Sequence, residues 1–359
     1  MVKLIKIGNR YVGDGEPALI VAEISCNHLQ KKEYAIRLIE EAKAAGVDAV
    51  KFQTYTPDTM TIDAKNEHFM IKGSIWNGMS LYELYKEAYT PWDWFPELKD
   101  KTKDEGLIFF STPFDETAVD FLEELGDMPA YKIASFEVNH IPLLKKVAKT
   151  KKPVIFSTGL ATLEDIELAI HTIKGEGNDD IGVLKCTSAY PAPFNEMNLR
   201  TIQTIREKFD VVTGLSDHSL GIVAPATAVA FGANIIEKHI ILDRKMGGPD
   251  SKFSLEPSEF RRLVNAVREI EQAIGESTFD LTEKAREHRV FMRSIFVVKD
   301  IERGEKFTRE NVKVIRPNGG MHPRYYEQIL GKKTKHDIKL GTPLSKEMIS
   351  GYESSVLDT

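Results

Sequence analysis

VVTGLSDH (residues 211–218) and NIIEKHII (residues 234–241) are consecutive apolar runs rich in β-branched residues, and each carries a histidine where its apolar character gives out. Runs of this length and composition read as buried strands. Six more precede them: ALIVAEIS (18–25), DAVKFQTY (48–55), LIFFSTPF (107–114), AYKIASFE (130–137), PVIFSTGL (153–160) and IGVLKCTSAYP (181–191). Between them lie amphipathic stretches such as YAIRLIEEAKAAG (34–46), TAVDFLEELG (117–126) and LEDIELAIHTI (163–173). Eight strands alternating with helices predict an α/β fold of the (β/α)8 TIM-barrel type. A doubly wound open sheet is the rival. It would gather its polar strand ends at one switch point, whereas here every run ends in polar residues, as the C-terminal face of a barrel requires.

Alternate residues of a barrel strand point inward, so parity selects the residues that line that face. Ser216 and His218 share one side of the seventh run, Glu237 and His239 one side of the eighth, Lys51 and Gln53 of the second, Glu23 and Ser25 of the first. Neighbouring strands lie about 4.8 Å apart, so histidines at matching heights on adjacent strands are placed to hold one divalent cation. With a carboxylate from Glu23 or Asp250 and open water positions, the pair His218 and His239 reads as a Lewis-acid site for Mn, Mg or Co. The same face offers Lys51, Lys132, Ser135, Ser157, Thr158, Ser188 and Ser216 for an anion. A buried ammonium demands an anionic partner, so two inward lysines point to a phosphate or carboxylate ligand. The stretch STG (157–159), read as ending the fifth strand and opening a helix, is expected to form an anion nest or a helix cap.

The 359 residues are 42% hydrophobic and 28% charged, enough for a large core and an appendage. A net charge of -6 gives no basic surface for nucleic acid or anionic membranes. No apolar run approaches the ~18 residues of a membrane span, and the N-terminus lacks the apolar core of a signal peptide. Only Cys26 and Cys186 are present, so a disulfide framework is not expected and a reducing cytoplasm is the default. After PSEFRRLVNAVREIEQAIG (257–275) the texture changes to short strands and turns, giving a barrel domain over 1–283 and a second domain over 284–359. Within it, VVKDIERG and KHDIKLG suggest two copies of a small β-turn unit.

The segments AEISCNH, VKFQTY, YKIAS, STG, KCTSAYP, GLSDHSLG, IEKHIIL and GGPDSKFSLEP, in order along the barrel, resemble the sialic acid synthase family. MRSIFVVKDI and IRPNGG in the tail resemble the antifreeze-like (SAF, β-clip) domain that ends those synthases. The resemblance implies a transferase that condenses phosphoenolpyruvate with an open-chain N-acetylated amino sugar, giving a nonulosonic acid and phosphate. It implies a divalent metal on His218 and His239, with Glu23 beside the aldehyde. Phosphoenolpyruvate falls to Lys51, Lys132, Ser135, Ser157, Ser188 and Ser216, and the sugar to Gln53, Glu137, Tyr190, Asp250 and Arg316. A domain-swapped homodimer is implied, with Arg316 reaching the partner's acceptor, as is a cytoplasmic role in making cell-surface glycans, flagellin glycosylation among them. STPFDETAVDFLEEL and the aromatic segment SIWNGMSLYELYKEAYTPWDW (74–94) resemble the branch that makes pseudaminate from 2,4-diacetamido-2,4,6-trideoxy-altrose. Neuraminate and legionaminate synthesis are the alternatives within the family. Outside it stand a noncatalytic sugar-binding protein and a Schiff-base aldolase using Lys132 or Lys185.

Overall fold

The computed structural model describes residues 4–73 and 76–352. The chain divides into two compact units, Met1–Gly275 and Glu276–Thr359. The first opens with a hairpin, β1 (Ile5–Ile7) and β2 (Arg10–Val12). At three residues a strand it is too short to leave an alternation signal in the sequence. Ile5, Ile7 and Val12 are buried in the barrel core, and Gly8 at the turn lies against Ile108 and Pro129. Arg10 pairs with Asp48. These neighbours all sit at or before strand starts, so the hairpin closes the N-terminal end of the barrel.

Eight strands then pair in parallel: β3 (Leu19–Glu23), β4 (Ala49–Thr54), β5 (Ile108–Pro113), β6 (Tyr131–Ile133), β7 (Val154–Ser157), β8 (Ile181–Cys186), β9 (Val212–Asp217) and β10 (Ile235–His239). Closure of β10 on β3 completes the expected TIM barrel. All of β3, β9 and β10 is buried, as strands covered on both faces must be. Gly214 of β9 is required by close approach, since an added Cβ would stand 2.3 Å from the Ile235 carbonyl oxygen of β10.

The helices are α1 (Lys32–Ala45), α2 (Pro57–Met60), α3 (Leu81–Ala88), α4 (Phe95–Asp104), α5 (Glu116–Leu125), α6 (Ile141–Lys149), α7 (Leu163–Gly175), α8 (Thr201–Phe209), α9 (Val223–Ala230) and α10 (Pro257–Ile274). The capping box of α7 is made by Thr162 and Asp165, so this helix opens well after the STG stretch. The backbone N–H of Gly159 instead donates to the Ser135 hydroxyl at 3.0 Å, which corrects the expectation that STG opens the helix as a nest. Between β4 and β5 the chain runs out over the barrel mouth through α2 and α3, each fixed by its own capping box at Thr56 and Ser80. Ser74 and Ile75 of the aromatic segment lie outside the described residues.

The second unit contains α11 (Glu283–His288), β11 (Ser294–Val297), β12 (Val312–Ile315) and α12 (Tyr326–Ile329) around a small core that includes Ile295, Phe307, Val312 and Leu344. Compactness breaks at Gly275, ahead of Lys284, and nearly every residue from 276 to 293 is exposed. The two β-turn copies face one another. Ile301 and Ile338 exchange backbone hydrogen bonds at 2.9 and 2.8 Å. Each copy's aspartate accepts from the other copy's turn, Asp337 from the Arg303 N–H at 2.7 Å and Asp300 from the Leu340 N–H at 2.8 Å.

Candidate active site

The register of the barrel decides which side chains meet at its C-terminal mouth. His239 lies opposite Glu23, Glu23 opposite Lys51, Glu237 opposite Ser216, and Ser216 opposite Cys186. A cavity of about 370 Å³ opens there. It is lined by Glu23, Lys51, Gln53, Lys132, Ser135, Glu137, Ser157, Tyr190, Ser216, His218, His239 and Asp250, so parity brings most of the sequence candidates to one place. Ser188 stands behind Gly159, where a Cβ would collide with both the Ser188 and Ser135 hydroxyls. Thr158 faces away from this cavity into another. Lys185 does so as well, because Cys186 takes the inward parity on β8; of the two aldolase candidates only Lys132 is in the site. Arg316 belongs to the second unit.

The floor is a network of buried charges. The Lys51 ammonium lies 2.6 Å from Glu23 Oε2 and 3.8 Å from Glu237 Oε2, and donates to the Thr112 hydroxyl at 2.9 Å. Lys132 lies 3.6 Å from Glu237 Oε1, which also accepts from the Ser216 hydroxyl at 3.0 Å. Gln53 donates to Glu23 Oε1 at 2.8 Å. Burial by itself would raise the Glu237 carboxyl, but Lys132, Lys51 and the Ser216 hydroxyl outweigh it and hold it at about 2. Burial pulls the Lys132 ammonium below the ordinary lysine value despite Glu237, whereas Lys51, with two carboxylates, ends above it. Glu237 and Thr112 were not singled out from sequence as site residues. The signal for Glu237 was the inward parity it shares with His239; for Thr112 no charge or motif marked it.

His239 ends β10 and His218 directly follows the adjacent β9, with ring centroids 5.4 Å apart. Each ring is held at Nδ1. His218 Nδ1 is 3.1 Å from the Thr187 carbonyl oxygen, and His239 Nδ1 is 3.2 Å from the Ser25 hydroxyl and 3.4 Å from Asp250 Oδ2. Ser25 donates to the same Asp250 oxygen at 2.5 Å. Partners at Nδ1 fix ring orientation and leave Nε2 to act as a ligand, an arrangement typical of metal-binding imidazoles. Among the described residues no group of three or more His, Cys, Asp or Glu is arranged to hold a metal ion. With Nδ1 of both rings engaged, the two imidazoles are the residues that could hold a divalent cation, its remaining positions open to water or substrate. Here Asp250 engages His239 and Ser25, and Glu23 engages Lys51 and Gln53.

Above the charges the walls turn apolar. Tyr190 lies 4.5 Å from His218 and 5.2 Å from Phe253, and Trp76 lies 5.6 Å from Tyr190, centroid to centroid. The excursion after β4 supplies Met60, Ile71, Leu81, Leu84 and Tyr85. Glu137 is set among these walls. Burial raises its carboxyl to about 7 against the pull of Lys132, and its Oε2 is buried without a hydrogen-bond partner. An orphaned polar atom facing a cavity is the mark of a group that waits for a ligand.

The NeuB family model matches residues 38–279 and the SAF domain model residues 292–350. The chain is 47% identical over 342 residues to pseudaminic acid synthase of Campylobacter jejuni subsp. jejuni serotype O:2, covering 95% of this chain and 99% of the relative. To pseudaminic acid synthase of Helicobacter pylori it is 43% identical over 335 residues, 93% of this chain and 98% of the other. The crystal structure of N-acetylneuraminic acid synthetase from Leptospira borgpetersenii serovar Hardjo-bovis in complex with citrate superposes with a TM-score of 0.72 at 34% identity, covering 80% of this chain and 95% of that one.

Proposed function

The chain belongs to the NeuB family, and from that premise and the geometry of its site we propose that it condenses phosphoenolpyruvate with 2,4-diacetamido-2,4,6-trideoxy-altrose and water, giving pseudaminate and phosphate. The observation that carries the proposal is one cavity combining a hydroxyl-lined floor of paired lysines and glutamates, an oriented histidine pair and an apolar upper wall. Residues 1–283 are assigned to the synthase domain and 284–359 to the SAF domain.

Phosphoenolpyruvate is an anion at both ends, and its phosphate and carboxylate are assigned to Lys51, Lys132 and the hydroxyls of Ser135, Ser157, Ser188 and Ser216. Glu23 and Glu237 hold the two ammonium groups in place without leaving them unpaired in the free enzyme, so their N–H donors are positioned before the anion arrives. A divalent cation such as Mn, Mg or Co, bound to His218 and His239, would polarise the acceptor's aldehyde oxygen. The chain's part is to hold C3 of the enol against C1 of the open-chain sugar so that the new carbon–carbon bond forms between them. Water then adds at C2 and phosphate leaves from that carbon. Glu23, at the boundary between charged floor and histidine pair, is placed to take the proton from that water, with Lys51 and Gln53 fixing its position.

The sugar is assigned to Gln53, Glu137, Tyr190 and Asp250, with Arg316 contributed by a second copy in a domain-swapped cytoplasmic homodimer. Aromatic and aliphatic walls suit a C6 methyl and two acetamido groups better than a hydroxymethyl end. Neuraminate or legionaminate synthesis would use the same floor with another acceptor. The product, a nonulosonic acid, is assigned to cell-surface glycans, flagellin glycosylation included. The test is product identification. Phosphoenolpyruvate, Mn and the 6-deoxy sugar should yield one nonulosonate by mass and proton NMR, and His218→Ala should yield none while keeping its circular dichroism. Near-normal turnover by His218→Ala would refute the assignment.

A further inference from the structure

A second cavity, about 720 Å³, lies on the outer face of the barrel between α7 and α8. Helices α5, α6 and α7 pack each on the next, whereas α7 and α8 enclose this cavity between them and are bridged by Lys208 and Glu167. Lys185 reaches the floor of the gap because Cys186 takes the inward position on β8. Its ammonium is half-buried and, among the described residues, donates only to the Cys186 carbonyl oxygen, at 2.6 Å. Arg200 stands at the rim with its guanidinium 5.6 Å from the Phe231 ring. Among the described residues, Lys208 is the one cation of the cavity paired with an acid, Glu167 at 2.9 Å; Lys185 and Arg200 have no carboxylate partner.

A half-buried ammonium with no counter-ion costs free energy that an anion entering from solvent would recover. Burial also draws Lys185 below the ordinary lysine value, as expected of an uncompensated cation. The remaining wall is largely apolar, with Ile166, Leu199, Ile205 and Phe231. A bare ion would leave that surface wet. An anion attached to a ring-sized body would fill a volume within the usual range of small-molecule sites.

The segment 157–159 borders both cavities. Ser157 lines the catalytic side, Thr158 and Gly159 line the outer side, and the Gly159 N–H donates to Ser135. We propose that the outer cavity is a regulatory site for a phosphate monoester with a ring-sized organic body, a mononucleotide or a sugar phosphate, and that its occupancy alters phosphoenolpyruvate binding through Ser157 to Gly159. Lys185 takes the phosphate and Arg200 closes the rim. Neither residue belongs to the catalytic machinery, so both are free for substitution.

The test is equilibrium dialysis of the full chain with AMP, CMP, glucose 6-phosphate and inorganic phosphate, each with saturating phosphoenolpyruvate present. At least one ester is expected to bind at one equivalent per chain, tenfold or more tighter than inorganic phosphate. Lys185→Gln, and separately the exposed Arg200→Gln, should each weaken it about tenfold. The same ester should shift the KM for phosphoenolpyruvate at least threefold in the parent chain and leave it unmoved in Lys185→Gln. Nucleotide or sugar phosphate, whichever binds, identifies the source of the ester. Binding that phosphoenolpyruvate abolishes, that both variants retain, or that inorganic phosphate matches as an adventitious ion only would overturn the proposal, as would a filled site with an unchanged KM. The KM arm rests on the proposed use of phosphoenolpyruvate; the dialysis of the two variants stands without it.

Discussion

Glu137 shows what a single residue's surroundings can decide. With its carboxyl near 7 it holds a proton below that pH and donates to an acceptor oxygen, and above that pH it loses the proton and repels one. The acceptor KM of the parent should therefore rise as pH passes upward through 7, whereas Glu137→Gln, an uncharged donor throughout, should keep a flat acceptor KM between about pH 6 and 8. A parallel rise in both would remove Glu137 from acceptor binding. Linkage has the same sign: a carboxyl raised on folding stabilises the fold below its unfolded value and loses that contribution as pH climbs through its folded one. Relative to the parent, Glu137→Gln should thus gain melting temperature above neutrality.

Asp250 acts at one remove, through the Nδ1 of His239. Asp250→Asn should weaken Mn affinity about 10- to 100-fold by calorimetry while the barrel melts as before; unchanged affinity would make Asp250 a sugar contact alone. The alternation of inward residues made the histidines, lysines and Glu23 legible in the sequence. It did not make their pairings legible, because a hydrogen bond between Ser25 and Asp250 joins residues 225 positions apart and depends on where an irregular loop returns.

The elements were legible where each is long and periodic. All eight barrel runs emerge as strands because both-face burial writes itself as continuous apolar sequence. The hairpin of β1 and β2 did not; α7 starts at Leu163, where the periodic stretch 163–173 begins, and its cap is the side chain of Thr162 rather than the serine and glycine of STG. Two glycines test this scale. Gly214→Ala would force β9 from β10 and should cost about 3 kcal/mol by chemical denaturation, the upper end for overpacking a core. Gly159→Ala, in half-buried loop backbone, would displace the Ser135 and Ser188 hydroxyls rather than backbone, so it should raise the KM for phosphoenolpyruvate more than it lowers the melting temperature. A stable variant with unaltered KM would detach those hydroxyls from the anion.

The whole molecule joins a catalytic barrel to a small unit whose two turn copies satisfy each other. No helix among the described residues is long and apolar enough to cross a membrane. The proposed role of the second unit rests on Arg316: Arg316→Ala should raise the acceptor KM more than that of phosphoenolpyruvate, and an unchanged acceptor KM would take this residue out of the site. Net charge overall is -6, and the two lysines of the cavity, Lys51 and Lys132, stand opposite Glu23 and Glu237. The most direct measurement is phosphate release from phosphoenolpyruvate and Mn with the 6-deoxy-2,4-diacetamido altrose, N-acetylmannosamine and the legionaminate precursor side by side, each with and without EDTA. The account predicts EDTA-sensitive release with the first sugar alone; release that ignores EDTA, or none with any of the three, would contradict it.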